Sequence, residues 1–316
     1  MEKIIFDTDP GIDDAMALLY LNALPGTELL GITTIHGNAP IEVCTRNALF
    51  LCDRYDIDVP VHPGPAQGIT GTIPEEYPDF VHGADGLGEL GQIATTRPLG
   101  GMSAAEYLVD AAKCQPGAIT LLAVGRLTNL ALALEAEPDF QDLVKDVIIM
   151  GGAIKSPGNV TPWAEANIIG DPEAASIVFN SRLKLTMVGL DVTSATRMTM
   201  RYVETLLPRN SALSAFLVAM NSYYAEFYRT SEGASDFPVH DPSAVAYLDD
   251  PSIFDTRVGT LQCVLEGEER GRTLFTQSAS GHHRACIGVD SNRLLENYAQ
   301  RVRLAYSHHD KGTPER

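Results

Sequence analysis

The chain has 316 residues, 45% hydrophobic and 20% charged, the balance of a folded globular protein with a full core. Acidic residues outnumber basic ones 41 to 23, for a formal charge of −18. A surface of that sign repels nucleic-acid backbones and anionic membranes, which leaves a neutral or cationic small molecule as the expected partner. No apolar run reaches the ~18 residues of a membrane span. The opening Met1-Glu2-Lys3-Ile4-Ile5-Phe6 lacks the long apolar stretch and small-residue cleavage site of a signal peptide. Five scattered cysteines (Cys44, Cys52, Cys114, Cys263 and Cys286) form no C-x-x-C pair and read as reduced, cytoplasmic thiols.

In chain order, apolar runs with the look of buried strands recur at 3–7, 29–35, 59–62, 119–124, 147–150 and 185–190. Helical patterns lie between them at 13–24, 41–55, 104–114, 129–136 and 172–180. Cys44 and Cys52 share one face of the second helix, where a buried apolar cysteine is the expectation. This alternation predicts an α/β fold: one domain over residues 1–316, with a mostly parallel, doubly wound, open Rossmann-like sheet covered on both faces. Residues 202–228 read as helical, and 230–238 as a mobile Gly/Ser/Asp loop. Residues 256–265 and 285–289 read as a late antiparallel β pair around the polar 266–272 turn, and 291–306 as a closing amphipathic helix. In such sheets ligands bind beyond the carboxyl ends of the strands, so the polar residues directly after each strand matter most.

The first strand runs into Asp7-Thr8-Asp9-Pro10-Gly11-Ile12-Asp13-Asp14, four carboxylates within eight residues. Two carboxylates ~4 Å apart repel by about 1 kcal/mol in water and about 4 at an effective dielectric of 20. Asp13 or Asp14 can cap the following helix and favour its dipole, and Asp7 can serve backbone amides in the turn. Those roles leave Asp9 together with Asp14 unexplained. An all-oxygen cluster with no neighbouring Cys and no clustered His favours Ca²⁺ or Mg²⁺ over Zn²⁺.

Residues 7–15 resemble, nearly letter for letter, the N-terminal signature of the inosine-uridine-preferring nucleoside hydrolases. The likeness continues in order through Ile35-His36-Gly37-Asn38, His82-Gly83-Ala84-Asp85-Gly86-Leu87-Gly88 and Val124-Gly125-Arg126-Leu127-Thr128-Asn129. It runs on through Met150-Gly151-Gly152-Ala153, Ala164-Glu165-Ala166-Asn167 and Val239-His240-Asp241-Pro242. It spans about residues 3 to 290, and it implies hydrolysis of the N-glycosidic bond of ribonucleosides by a homo-oligomer, a tetramer or dimer.

The resemblance implies one Ca²⁺ held by Asp9, Asp14, Asp241 and the carbonyl of Val124, with Asp9 also the base that activates water. It assigns Asp13, Asn38, Asn159, Glu165 and Asn167 to the sugar hydroxyls, Met150 to an apolar wall, and His240, with His82, to the departing base. Read alone, Asp241 is a helix N-cap before Pro242, Met150 a core residue, and any single Asn a turn residue. Both readings of Asp241 can hold together. Ala166 stands where the family carries a large aromatic, and Trp163 is the candidate to refill that space. Arg126 replaces a common Pro, a change expected to have no consequence. The 229–238 loop and Tyr223, Tyr224 and Tyr228 lie where the family sets its base preference, so purine-against-pyrimidine choice does not carry over.

Asp7-Thr8-Asp9 after a first strand also suits a haloacid-dehalogenase-type phosphohydrolase. That family places Thr or Val where Gly11 stands, and a net charge of −18 disfavours a phosphorylated substrate. A non-catalytic calcium- or ribose-binding protein is the other alternative, disfavoured because Asp9, Asn167 and His240 are all retained.

Overall fold

The computed structural model describes residues 1–91 and 93–306. Eleven strands lie among the described residues: β1 (Glu2–Thr8), β2 (Thr27–Thr34), β3 (Val61–Pro63), β4 (Ile119–Ala123), β5 (Asp146–Met150), β6 (Leu185–Val188), β7 (Arg197–Thr199), β8 (Asp236–Pro238), β9 (Phe254–Cys263), β10 (Thr273–Gln277) and β11 (His283–Val289). Nine form one sheet in the order β10-β9-β11-β6-β5-β4-β1-β2-β3, and β7 pairs with β8 in a separate ribbon. From β3 to β11 every neighbouring pair is parallel; β9 runs antiparallel to both β11 and β10.

Side chains alternate across this sheet with the two-residue period of a strand. Ile4 and Phe6 of β1, Ile32, Leu122 and Ile148 enter one buried layer, beneath helices Ile12–Asn22, Ile41–Tyr55, Ala212–Ser231, Asp241–Asp249 and Ser291–Tyr306. Ile5, Leu121, Val147, Ile149 and Met187 enter the other, with helices Ala104–Cys114, Thr128–Ala136 and Pro172–Asn180. Full burial of each such side chain stabilises the fold by roughly 1.5–3 kcal/mol relative to leaving it exposed. Two helix starts show their local cause. Ser103 and Glu106 form a reciprocal capping box, and Asp171 caps a helix whose first residue is Pro172.

The chain leaves β1 for β2 and β3 on one side, then returns to place β4 on the other. The reversal opens a crevice at the carboxyl ends of β1, β2 and β4.

The mostly parallel sheet, both covering layers and the late antiparallel pair stand as the sequence predicts. Four details differ. The helical stretch 202–228 is two helices, Met200–Glu204 and Ala212–Ser231, because Pro208 interrupts it. The loop expected at 230–238 begins inside the second helix and ends as β8, whose Asp236–Pro238 pairs with Arg197–Thr199. The 266–272 turn joins β9 to β10, not to β11; β10 escapes pattern reading because four of its five residues are at least partly exposed and two are threonines. The strand expected at 185–190 stops at Val188, where Gly189 opens the turn Leu190–Thr193.

Candidate active site

β1 delivers the acidic segment, and each of its carboxylates has a different surrounding. Asp7 Oδ1 accepts from Thr33 Oγ1 at 2.6 Å and Asn129 Nδ2 at 2.7 Å, while Asn129 also donates to the Thr34 carbonyl. Asp7 therefore ties β1, β2 and helix Thr128–Ala136 together through side chains, where backbone amides were expected. Burial pushes its carboxyl up to about 7. Asp14 is the capping residue: Oδ2 accepts from the Gly11 amide at 2.9 Å and Asn38 Nδ2 at 2.9 Å, and Oδ1 from Thr8 and from the Asp9 amide.

Asp9 lies just past the end of β1 and is 2% exposed. Its Oδ2 accepts from the Asn38 amide at 2.9 Å, and its Oδ1 is buried with no partner. A Cβ on Gly37 would lie 1.9 Å from Asp9 Oδ2, and one on Gly125 2.6 Å from Oδ1, so both glycines are needed for close approach. Burial, then repulsion from Asp14, raises the Asp9 carboxyl well above the usual range; the Arg126 guanidinium pulls it back. Arg126 thus has a consequence: it is a half-buried cation behind the acidic cluster, its stem lying against Gly170.

Asp13, Asp14 and Asp241 bring carboxylate oxygens within 4.8 Å of one another. Asp13 Oδ1 is also buried without a partner, and its carboxyl is pushed up to about 8, first by burial and then by Asp14. Asp241 is raised well above the usual range by burial and by the surrounding aspartates, and its carboxyl shares a hydrogen bond with Asp14. It is the first residue of its helix; His240 occupies the N-cap position and no side chain caps that end. The N-cap reading of Asp241 is therefore corrected, and its carboxylate is left for the cluster. Hard oxygen donors, two orphaned buried oxygens and an uncompensated charge excess fit a divalent cation. The tight triad contains Asp13 where the resemblance names Asp9; Asp9 flanks it through Asn38.

Beside the carboxylates lies a cleft of about 410 Å³, lined by Asp13, Asn38, His82, Val124, Met150, Asn159, Glu165, Asn167, His240 and Asp241 among others. A groove of about 560 Å³ along helix Ser291–Tyr306 has no histidine or aspartate among the described residues that line it. Asn167 Nδ2 donates to the Val124 carbonyl at 2.7 Å and the Met150 carbonyl at 3.1 Å, which joins the ends of β4 and β5. Met150 is 3% exposed and serves as both core and wall. Glu165 accepts from the amides of Gly152, Asn167 and Ile168, so it caps its own helix as well as facing the cleft. Asn159 Oδ1 accepts from the Ala166 amide at 3.0 Å. Trp163 does not refill the space at Ala166: its ring lies under the Arg272 guanidinium, 4.8 Å away, and is not among the cleft-lining residues.

The far end is aromatic. His82 Nδ1 accepts from the Ile12 amide at 3.2 Å and its ring stacks on Tyr224, which leaves Nε2 as the protonated nitrogen of the neutral ring. His240 Nδ1 pairs with Thr193 Oγ1 at 2.9 Å, and its Nε2 lies 3.5 Å from Tyr228 Oη. Burial lowers His82 to about 3 and His240 to about 4, so both imidazoles rest neutral near pH 7. Phe80 packs on Phe227 at the rim with ring centroids 5.7 Å apart. Thr193, Phe80 and Phe227 went unnoticed in the sequence; only the position of Thr193, just after β6, could have flagged it.

The sequence profile of the inosine-uridine preferring nucleoside hydrolases matches residues 4–296. The chain belongs to that family. It is 40% identical to uridine nucleosidase 1 of Arabidopsis thaliana over 87% of this chain and 82% of that protein. It is 37% identical to the inosine-uridine preferring nucleoside hydrolase of Crithidia fasciculata, over 84% and 85% of the two chains. The structure of a purine-preferring ribonucleoside hydrolase from Gardnerella vaginalis superposes with a TM-score of 0.91 at 33% identity, covering 96% of this chain and 98% of that one. As a nucleoside hydrolase, the protein is an N-glycosidase of nucleoside catabolism, from a metal-dependent family, with an acidic cluster at the head of its cleft. No helix among the described residues is long and apolar enough to cross a membrane.

Proposed function

We propose that the chain is a calcium-dependent hydrolase of ribonucleosides, of the uridine/cytidine or inosine type, in which Asp9 activates the attacking water. The observation that carries this reading is the buried, unpartnered Asp9 Oδ1 beside the Asp13–Asp14–Asp241 carboxylates. Asp9, Asp14, Asp241 and the Val124 carbonyl would hold the cation, and Asp13 stands close enough to join them. When bound, the cation would acidify a water and orient the sugar hydroxyls.

The chain's own residues supply the rest. Asp13, Asn38, Asn159, Glu165 and Asn167 face the ribose hydroxyls, with Met150 beneath the sugar. As the C1′–N bond breaks, positive charge grows on the sugar ring, and the carboxylates stabilise it. Water oxygen bonds to C1′, one of its protons passes to Asp9, and the other remains on the new hydroxyl. The departing base takes the electrons of the broken bond and receives a proton at nitrogen. His240 Nε2 is the proposed donor, with His82 Nε2–H as a second hydrogen-bonding group. Because burial keeps both rings neutral at rest, His240 would take up a proton from solvent as negative charge develops on the base and pass it on from Nε2, returning to the neutral ring.

One sheet carrying both hydrophobic layers supports a single domain. Five unpaired cysteines support a reducing, cytoplasmic setting, and we expect a dimer or tetramer in solution. The deciding experiment is release of reducing sugar from a panel of ribonucleosides, with Ca²⁺ and after exhaustive chelation. Ca²⁺-restored ribose release from uridine or inosine is the expected result; undiminished turnover in demonstrably metal-free protein would remove the cation from the reading. Since a site built to bond a hydroxyl can discriminate by up to ~10⁴–10⁵ against its absence, 2′-deoxynucleosides are expected to be poor substrates.

A further inference from the structure

We infer that Arg197 is a positioning residue for the leaving-group end of the cleft: it clamps the end of helix Ala212–Ser231 to β8 and so fixes Tyr228 against His240. This rests on the reading of His240 as the group that serves the departing base.

Arg197 opens β7, where it pairs with Pro238 of β8. Its Nε donates to Asp236 Oδ1 at 2.6 Å, and its Nη2 to the Asp236 carbonyl at 3.0 Å and Glu232 Oε2 at 3.1 Å. Its Cζ lies 5.7 Å from the centroid of the Tyr228 ring. Glu232 caps the helix one turn after Tyr228, and β8 leads directly into Val239 and His240. The 232–236 turn between them contains Gly233 in the left-handed region at φ +68°. One guanidinium therefore closes both ends of the turn and covers the tyrosine face.

Tyr228 Oη lies 3.5 Å from both His240 Nε2 and Tyr224 Oη, at the outer limit of a hydrogen bond. Contacts that long are set by where the rings are held, since the bonds themselves restrain little. Tyr228, Glu232 and His240 all line the cleft, so a shift of the helix end reaches the space a base would occupy.

A planar fork bonds three acceptors on two elements while lying across a ring; an ammonium has neither the reach nor the plane. The Arg197 side chain is 27% exposed and its partners are 47% and 36% exposed, so these pairs contribute little to stability. Losing the fork should move geometry more than folding.

The test compares wild type with Arg197→Lys and Arg197→Met on uridine, inosine and p-nitrophenyl riboside. Melting temperature and Ca²⁺ affinity by titration calorimetry are measured alongside. Misplacement of about 1 Å can cost ~10²-fold, so both variants are expected to lose ~10–100-fold in kcat on the natural nucleosides. The p-nitrophenyl substrate, whose leaving group departs without help, should stay within about threefold, with Ca²⁺ affinity unchanged. Equal loss on both substrate types, weakened Ca²⁺ binding, or full activity of Arg197→Lys would overturn the proposal. Should Arg197→Met not fold, Glu232→Gln and Asp236→Asn each weaken one arm of the clamp and should give the same leaving-group-dependent loss in smaller measure; wild-type behaviour in both would likewise overturn it. Failure of the His240 reading looks different, since His240→Ala would then slow both substrate types alike.

Discussion

The two ends of the cleft are built on opposite principles. At the carboxylate end, side chains come from the segments just past β1, β2 and β4 and from the first turns of helices Ile12–Asn22 and Asp241–Asp249, held by short bonds from amides and neighbouring side chains; Asp14 alone accepts four donors. At the aromatic end, residues come from helices and a two-stranded ribbon, and the Tyr228 contacts are 3.5 Å long. The first end concentrates negative charge in a desolvated place, and the second holds neutral imidazoles among rings. A rigid, charged end suits work common to every substrate, namely gripping ribose and stabilising its cation. A looser end of aromatic rings and neutral imidazoles suits the part of the substrate that varies. The relatives' names differ in the base they prefer, while the fold superposes closely.

If this division holds, damage at the charged end should be blind to the base, and damage at the aromatic end should depend on it. Removal of the cation is the largest perturbation. Exhaustive chelation should take turnover of every nucleoside and of p-nitrophenyl riboside to background, and Ca²⁺ should restore both. Calcium should also raise the melting temperature, because a ligand that binds only the folded state stabilises it. Turnover of the activated substrate that survives chelation would break the division at once.

Asp9→Asn comes next. It preserves size while removing the base and one ligand charge, so kcat should fall by ~10²–10⁴. The fractional loss should match for uridine, inosine and p-nitrophenyl riboside, with KM changed less than kcat. A variant within threefold of wild type would place the base elsewhere, Asp13 being a cleft-lining carboxylate with an unpartnered oxygen.

His240→Ala tests the other end. An acid contributes typically ~10²–10⁴-fold for a poor leaving group and little for one that departs readily as an anion. Inosine and uridine should therefore slow strongly while p-nitrophenyl riboside is nearly spared. Equal kcat losses would strip His240 of the acid role and shift attention to His82 or a neighbouring tyrosine. Loss of Ca²⁺ affinity would show instead that His240 positions Asp241.

The same division explains what could be read from the sequence. The charged end was legible because strand-end carboxylates and close-approach glycines come in short contiguous runs, each fixed by backbone geometry. Asp9 needs Gly37 and Gly125 against its oxygens, and all three lie in recognisable segments. The aromatic end was only partly legible. The two histidines stood in motifs, but Thr193, Phe80 and the Arg197 clamp depend on helix packing across long sequence separations. No local pattern specifies such packing. Arg126 was underestimated for a related reason: its effect on Asp9 is electrostatic and acts through space. Asp241 was misassigned as an N-cap because Pro242 fits both the first and second helical positions.

The smallest expected effect concerns His36, which lies just before Gly37 in the charged half. Its Nδ1 lies 3.1 Å from the Pro65 carbonyl, a contact that needs the proton on that nitrogen; Nε2 is buried without a partner. Burial, helped by the Arg126 guanidinium, lowers the ring from its ordinary value of 6.5 to about 4. The folded value lies below the unfolded one, so the unfolded chain takes up the proton first as pH falls. Its contribution to stability is complete above pH 6.5 and is lost as pH drops through 6.5 toward 4. His36→Asn retains a donor that can reach toward Pro65 but cannot titrate. In chelator, where cation release makes no contribution, wild type should lose more unfolding free energy than His36→Asn between pH 7 and 4.5. The other buried groups are common to both proteins, the raised carboxylates working in the opposite direction, so the difference in slope isolates His36. Equal slopes in urea titrations at each pH would mean that the folded protein protonates this ring without penalty. The charged half would then accept a second cation beside Arg126, and its separation from the neutral half would be weaker than the geometry indicates.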